Sequence, residues 1–90
     1  MPYIKQEDRV RMEHKEVPEN AGELNYAIHL LLEEYLYARG ECYQTYNDML
    51  GALNGVAQEL YRRRVAPYED KKIAENGDIL FYNPTLYQNQ

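Results

Sequence analysis

The side chains best suited to chemistry lie late in the chain, in the run Tyr61-Arg62-Arg63-Arg64-Val65-Ala66-Pro67-Tyr68-Glu69-Asp70-Lys71-Lys72. Five Lys or Arg stand there against two acids, in a 90-residue protein whose formal net charge is -5. Guanidinium groups grip phosphates and carboxylates through paired hydrogen bonds. Arg62, Arg63, Lys71 and Lys72, with Tyr68 as a stacking ring, therefore form a candidate site for a nucleotide-like anion. The same cations would equally satisfy the negative pole and terminal carbonyls of a long helix ending there. Arg64 differs from its neighbours because it continues an apolar stripe through Leu53, Ala57 and Leu60. Hairpin register sets it beside Glu19 and Glu23, which predicts a partly buried ion pair.

The other reactive side chains do not assemble into a catalytic or metal pattern. His29 and Glu33 are one helical turn apart but supply only two ligands. The lone Cys42 has no partner for an intramolecular disulfide and no nearby His base to make it a nucleophile. No Gly-rich phosphate loop, serine elbow or zinc knuckle occurs. The sequence predicts no catalytic residue, no metal and no cofactor, and its expected class is a non-enzymatic binding protein. Ten Tyr with no Trp fit that class, since Tyr joins a large contact area to a polar tip.

These residues must be positioned by helices. Residues 1–18 read as a charged N-terminal segment with a short helix over Gln6 to Met12. Asn20 can cap the next helix and Glu23 sits where a capping-box carboxylate reaches back, while Gly40 can end it, so a helix is predicted over 21–39. Leu24, Ile28, Leu31, Leu32 and Tyr35 share one side of that helix and predict its core face. Tyr26, Leu30 and Tyr37 share the opposite side and predict an interface. A third segment, about 43–65, aligns Tyr46, Met49, Leu50, Leu53, Val56, Ala57, Leu60 and Tyr61, with Gly51 and Gly55 on its polar back. Two Gly on one helix face suggest close approach by another backbone or a ligand, which makes both further interface candidates, and fit tolerated surface glycine equally.

The short Gly40 to Cys42 connection predicts that these two helices pair as an antiparallel hairpin. Pro67 disfavours helical geometry at Ala66, so a kink is expected there with a new helix through Tyr68 to Glu75. Asn76-Gly77 stops it, Ile79 to Tyr82 reads as an extended strap, and 83–90 as a loosely held tail. The fold class is all-α: an antiparallel helical hairpin with a kinked C-terminal helix and a short N-terminal helix, one domain over 1–90. A chain of this size buries only about 60% of its unfolded surface, so a homo-oligomeric bundle is expected.

Composition narrows the partners. An acidic chain lacks the basic footprint of a general nucleic-acid binder. The apolar run Ile28 to Leu32 is broken by His29 and is far below the roughly 20 residues that span a bilayer. Acids at Glu7 and Asp8 stand where a signal peptide would need apolar residues. No membrane association and a soluble, cytoplasmic setting are expected.

The blocks Met1-Pro2-Tyr3-Ile4 with Asp8-Arg9, Tyr61-Arg62-Arg63, Val65-Ala66-Pro67-Tyr68-Glu69-Asp70-Lys71-Lys72-Ile73 and Glu75-Asn76-Gly77-Asp78 resemble a family of small uncharacterised proteins of phages, prophages and bacteria. That resemblance implies a phage or mobile-element origin and brings no catalytic residue. The expected role is a small accessory protein that binds and modulates a host protein. The alternative is a protein that sequesters a nucleotide signal between subunits with Arg62, Arg63, Tyr68 and Lys71.

Overall fold

The structure is a computed structural model that describes residues 4–83 and 85. It is helical, with no strand among the described residues. The elements are α1 (Gln6–Glu13), α2 (Ala21–Arg39), α3 (Tyr43–Leu60), a π-helical turn (Tyr61–Val65) and α4 (Ala66–Asn76). Two compact units divide the chain, Met1–Leu50 and Gly51–Gln90, with the boundary inside α3.

In the first unit, local chemistry fixes the start of α2. Asn20 Oδ1 accepts the Glu23 N–H at 2.9 Å, as an N-cap should. The Glu23 carboxylate reaches back to the N–H of Glu19 at 3.1 Å, one residue earlier than the standard capping box, and also takes Asn20 Nδ2 at 3.3 Å. Gly40 ends the helix at φ 87° while its N–H holds Leu36 O.

The partner of α2 in this unit is α1. The sequence expected α3 as the partner of α2 and foresaw no packing of α1 on it. Complementary apolar stripes say that each helix needs cover without saying from where, and α1 makes the more specific offer. Glu23, Tyr26, Leu30 and Glu34 follow steps of three and four along α2 and so share a side. On that side Arg11 pairs with Glu23 at 2.6 Å, Arg9 lies over the Tyr26 ring at 5.6 Å, and Lys15 meets Glu34 at 3.0 Å. Met12 of α1 is buried. Gly22 permits the approach, because a Cβ there would stand 3.1 Å from Ile4 Cγ2. Lys15, at φ 65°, turns the chain out of α1, its N–H bonded to Met12 O and that of Glu16 to Arg11 O.

In the second unit, helical backbone passes through Pro67 without a break. The sequence predicts a kink and restart, whereas Val65 and Ala66 both keep right-handed helical dihedrals. The physical reason is the π turn. In an α-helix the Pro67 ring would clash with the carbonyl four residues before it. A wider turn, in which the Ala66 N–H bonds Tyr61 O five residues back, moves the preceding carbonyls aside. Gly77, at φ 86°, ends α4 with its N–H on Ile73 O. Residues 80–82 then form a turn closed by Tyr82 N–H and Asn83 N–H on Ile79 O, in place of the extended strap. Apart from Asn83 and Thr85, the 83–90 tail lies outside the described residues.

Candidate functional site

The π turn presents its three arginines to solvent at the end of α3. Arg62 Nη2 bonds both carboxylate oxygens of Glu59, at 3.2 and 3.1 Å, and Arg63 Nη1 stands 3.7 Å from the same carboxylate. One acid one turn earlier thus holds two of the three guanidinium groups, an ordinary exposed i,i+3 and i,i+4 arrangement. Arg64 is exposed and makes no ion pair among the described residues. Glu19 and Glu23, its expected partners, belong to the first unit. Within that unit Arg11 meets Glu19 at 3.5 Å and Glu23 at 2.6 Å. Nothing in the period of α3 could have indicated this, since the cation comes from the N-terminal segment.

Two concavities flank the arginine turn. The first, about 820 Å³, is lined by Gly55, Val56, Glu59, Leu60, Arg63 and Arg64, with Ala52 beside them. The second, about 590 Å³, lies along α4 and the turn that follows it. Tyr61, Tyr68 and Tyr82 contribute rings to it, and Glu69, Asp70, Asp78 and Lys72 contribute charge. Tyr61 Oη donates to Glu69 Oε1 at 2.7 Å. That hydrogen bond, and the repulsion a phenolate would feel from Glu69, push the Tyr61 hydroxyl above the ordinary tyrosine range. Lys72 Nζ bonds Glu75 at 3.2 Å and lies 5.5 Å from the centre of the Tyr68 ring.

The five anion-site candidates are thus divided. Arg62 pairs with Glu59, Arg63 lines the first concavity, Tyr68 and Lys72 line the second, and Lys71 lines neither. The five interface candidates are divided as well. Tyr26 and Leu30 are half-buried on the side of α2 that faces α1, whereas Tyr37 is 78% exposed. Gly51 and Gly55 are exposed, and a Cβ on either would meet nothing within 4 Å among the described residues.

Of the face of α2 expected to form the core, only Leu32 is half-buried. Leu24, Ile28, Leu31 and Tyr35 form the stripe opposite α1, and all four are exposed, Leu31 by 64%. On α3, Tyr46, Leu50, Val56 and Leu60 are exposed too, while Met49 and Leu53 are half-buried. Four large apolar residues in steps of four, three and four make a contiguous surface of the kind that marks interaction sites.

At the start of α3, the Cys42 thiol lies 3.3 Å from the buried Thr45 hydroxyl. This contact, with backbone N–H groups behind it, holds the thiol below its ordinary range. Among the described residues no group of three or more His, Cys, Asp or Glu is placed to hold a metal ion, and no helix is long and apolar enough to cross a membrane.

Residues 1–79 match the model of a family described as Domain of unknown function (DUF6899). No curated protein and no solved structure matches the chain.

Proposed function

The chain belongs to the DUF6899 family, and for it we propose a role in protein–protein contact without catalysis. In this reading it is a small accessory protein of a phage or mobile element that binds and modulates a host protein. The observation that carries the reading is the exposed stripe Leu24, Ile28, Leu31 and Tyr35 on α2. A helix face of this kind is recognised by groove-forming or helical partners through anchors at steps of three and four. Self-association of the chain uses the same face, since the Tyr26 and Leu30 side is taken up by α1. The phage or mobile-element setting and the host partner rest on the sequence resemblance.

The experiment compares wild type with Leu31→Asp in light scattering and in affinity capture from a host lysate. Charge at an exposed position should leave the melting temperature unchanged while abolishing both self-association and capture. If Leu31→Asp captures the same partner with the same yield, the reading fails.

A second reading has its own observation. Arg63 and Arg64 meet Gly55 in the first concavity, where Glu59 is the one acid, and such a surface suits a nucleotide-like anion. A thermal-shift panel of nucleotides against wild type and Arg64→Glu tests it. A shift present in wild type and lost in the variant supports a nucleotide site, and no shift with any nucleotide removes it.

A further inference from the structure

The concavity along α4 has chemistry that neither reading uses, and it lies wholly in the second unit. Its charged lining is Glu69, Asp70 and Asp78 against Lys72, which is three acids to one base. The base is already engaged: Lys72 is bonded to Glu75 and its ammonium rests on the Tyr68 ring. Glu69 accepts from the Tyr61 hydroxyl and Asp78 from the Ile79 N–H. Asp70 is exposed, and its side chain has neither ion pair nor hydrogen bond among the described residues. Tyr61, Tyr68 and Tyr82 line the same concavity.

We infer that this concavity binds an alkylammonium group, held against the tyrosine rings with Asp70 as its counter-charge. Aromatic faces attract cations through their quadrupole, and walls of tyrosine with a nearby carboxylate are how proteins hold amines. The chain shows the preference itself, because the Tyr68 face already accepts an ammonium, that of Lys72. An anion entering the same space would meet three carboxylates. The candidate anion residues Tyr68 and Lys72 therefore face a space of the opposite preference. The ammonium group has two possible sources, a free amine or the lysine side chain of a peptide. The inference does not rest on the α2 face, and Leu31→Asp should leave it intact.

The test is isothermal titration calorimetry on the full chain at constant ionic strength. The probes are tetramethylammonium, spermidine and an acetylated, amidated Ala-Lys-Ala peptide, with potassium and inorganic phosphate as controls. At least one ammonium probe should bind saturably where potassium does not. Tyr68→Leu and Asp70→Asn should each weaken it by about 5- to 30-fold, the fold-change equivalent to about 1 to 2 kcal/mol. Lys72→Gln, which removes the internal competitor for the Tyr68 face, should tighten it. Tighter binding of the peptide than of the free amines assigns the ammonium to a protein partner, and the reverse order assigns it to a small molecule. Asp70→Asn is isosteric and exposed, so it carries the test even if Tyr68→Leu disturbs the fold. Absence of saturable binding by every ammonium probe, a matching response to potassium, preferential binding of phosphate, weaker binding in Lys72→Gln, or unchanged affinity in Asp70→Asn would each overturn the inference.

Discussion

Arg11 Nη2 lies 2.6 Å from Glu23 Oε2, and the two ends of this pair stand in different surroundings. Glu23 is 2% exposed, whereas Arg11 also reaches Asp8, Glu16 and Glu19, whose carboxylates are in partial contact with water. One guanidinium serves four acids, and only one of those acids depends on it. The hydrogen bonds to Glu23 and Asp8 hold the Arg11 proton still more firmly than usual.

Arg11→Met should therefore lower the melting temperature more than Glu23→Gln. The first change leaves a buried carboxylate without its counter-charge, while the second keeps the hydrogen-bonding amide at the start of α2 and removes the charge with it. Thermal melts of the two variants check the order. The reverse order would place the stabilisation in the cap and not in the ion pair.

Gly51→Ala and Gly55→Ala should each stabilise the isolated chain by about 0.5 to 1 kcal/mol, because both sit in helix interior and an added methyl meets nothing within 4 Å among the described residues. Urea denaturation measures the gain. If either change instead blocks self-association while leaving the monomer intact, the close approach expected from the sequence occurs in the assembly.

Tyr61 should keep its proton to a higher pH than an ordinary tyrosine. Its hydroxyl donates to Glu69, and ionisation would set a phenolate against that carboxylate. In an ultraviolet pH titration, Tyr61→Phe should remove a late-ionising component, and Glu69→Gln should move that component to lower pH. An unchanged titration in Glu69→Gln would mean the hydrogen bond does not form in solution.

Cys42 should be alkylated by iodoacetamide with a pH midpoint below that of an ordinary thiol, since contacts from Thr45 favour the thiolate. Thr45→Val keeps the volume and removes the hydroxyl, so its midpoint should rise. Identical pH profiles for the two proteins would assign the effect elsewhere.

The helix ends were legible in the sequence because their signals are local. Asn20, Glu23, Gly40 and Gly77 act within a turn of themselves, and each performs its expected part, with Glu23 displaced by one residue in its backward reach. The choice of partner for α2 was not legible. An apolar stripe is the visible sign of a packed face, yet α1 attaches through Arg9, Arg11 and Lys15, which read as solvated charge in a segment with little amphipathic character. Tyr68 and Lys72 were candidates for an anion site from their place in the basic run. Which charge they face depends on Asp70, Glu69 and Asp78, whose grouping requires the turn after α4. Pro67 announced a disturbance, and the form it took, a widened turn in place of a break, depends on what the preceding carbonyls can do.

That widened turn is a phase insertion of one residue. In a regular α-helix, positions eight apart lie about 80° out of register, yet Tyr61 bonds Glu69 across a separation of 8. With one residue absorbed by the π turn, the two behave like positions seven apart, about 20° from alignment. Removing a residue from 62–65 would keep Tyr61 facing Glu69, but it would return the turn to α geometry and restore the clash of the Pro67 ring with the carbonyl four residues before it. Removing one between Tyr68 and Lys72 would swing Asn76, Gly77 and Asp78 by about 100° relative to Tyr68 and dismantle the concavity. A deletion inside the π turn thus preserves the facing of Tyr61 and Glu69 while straining the chain at Pro67, whereas one a turn later loses the concavity itself.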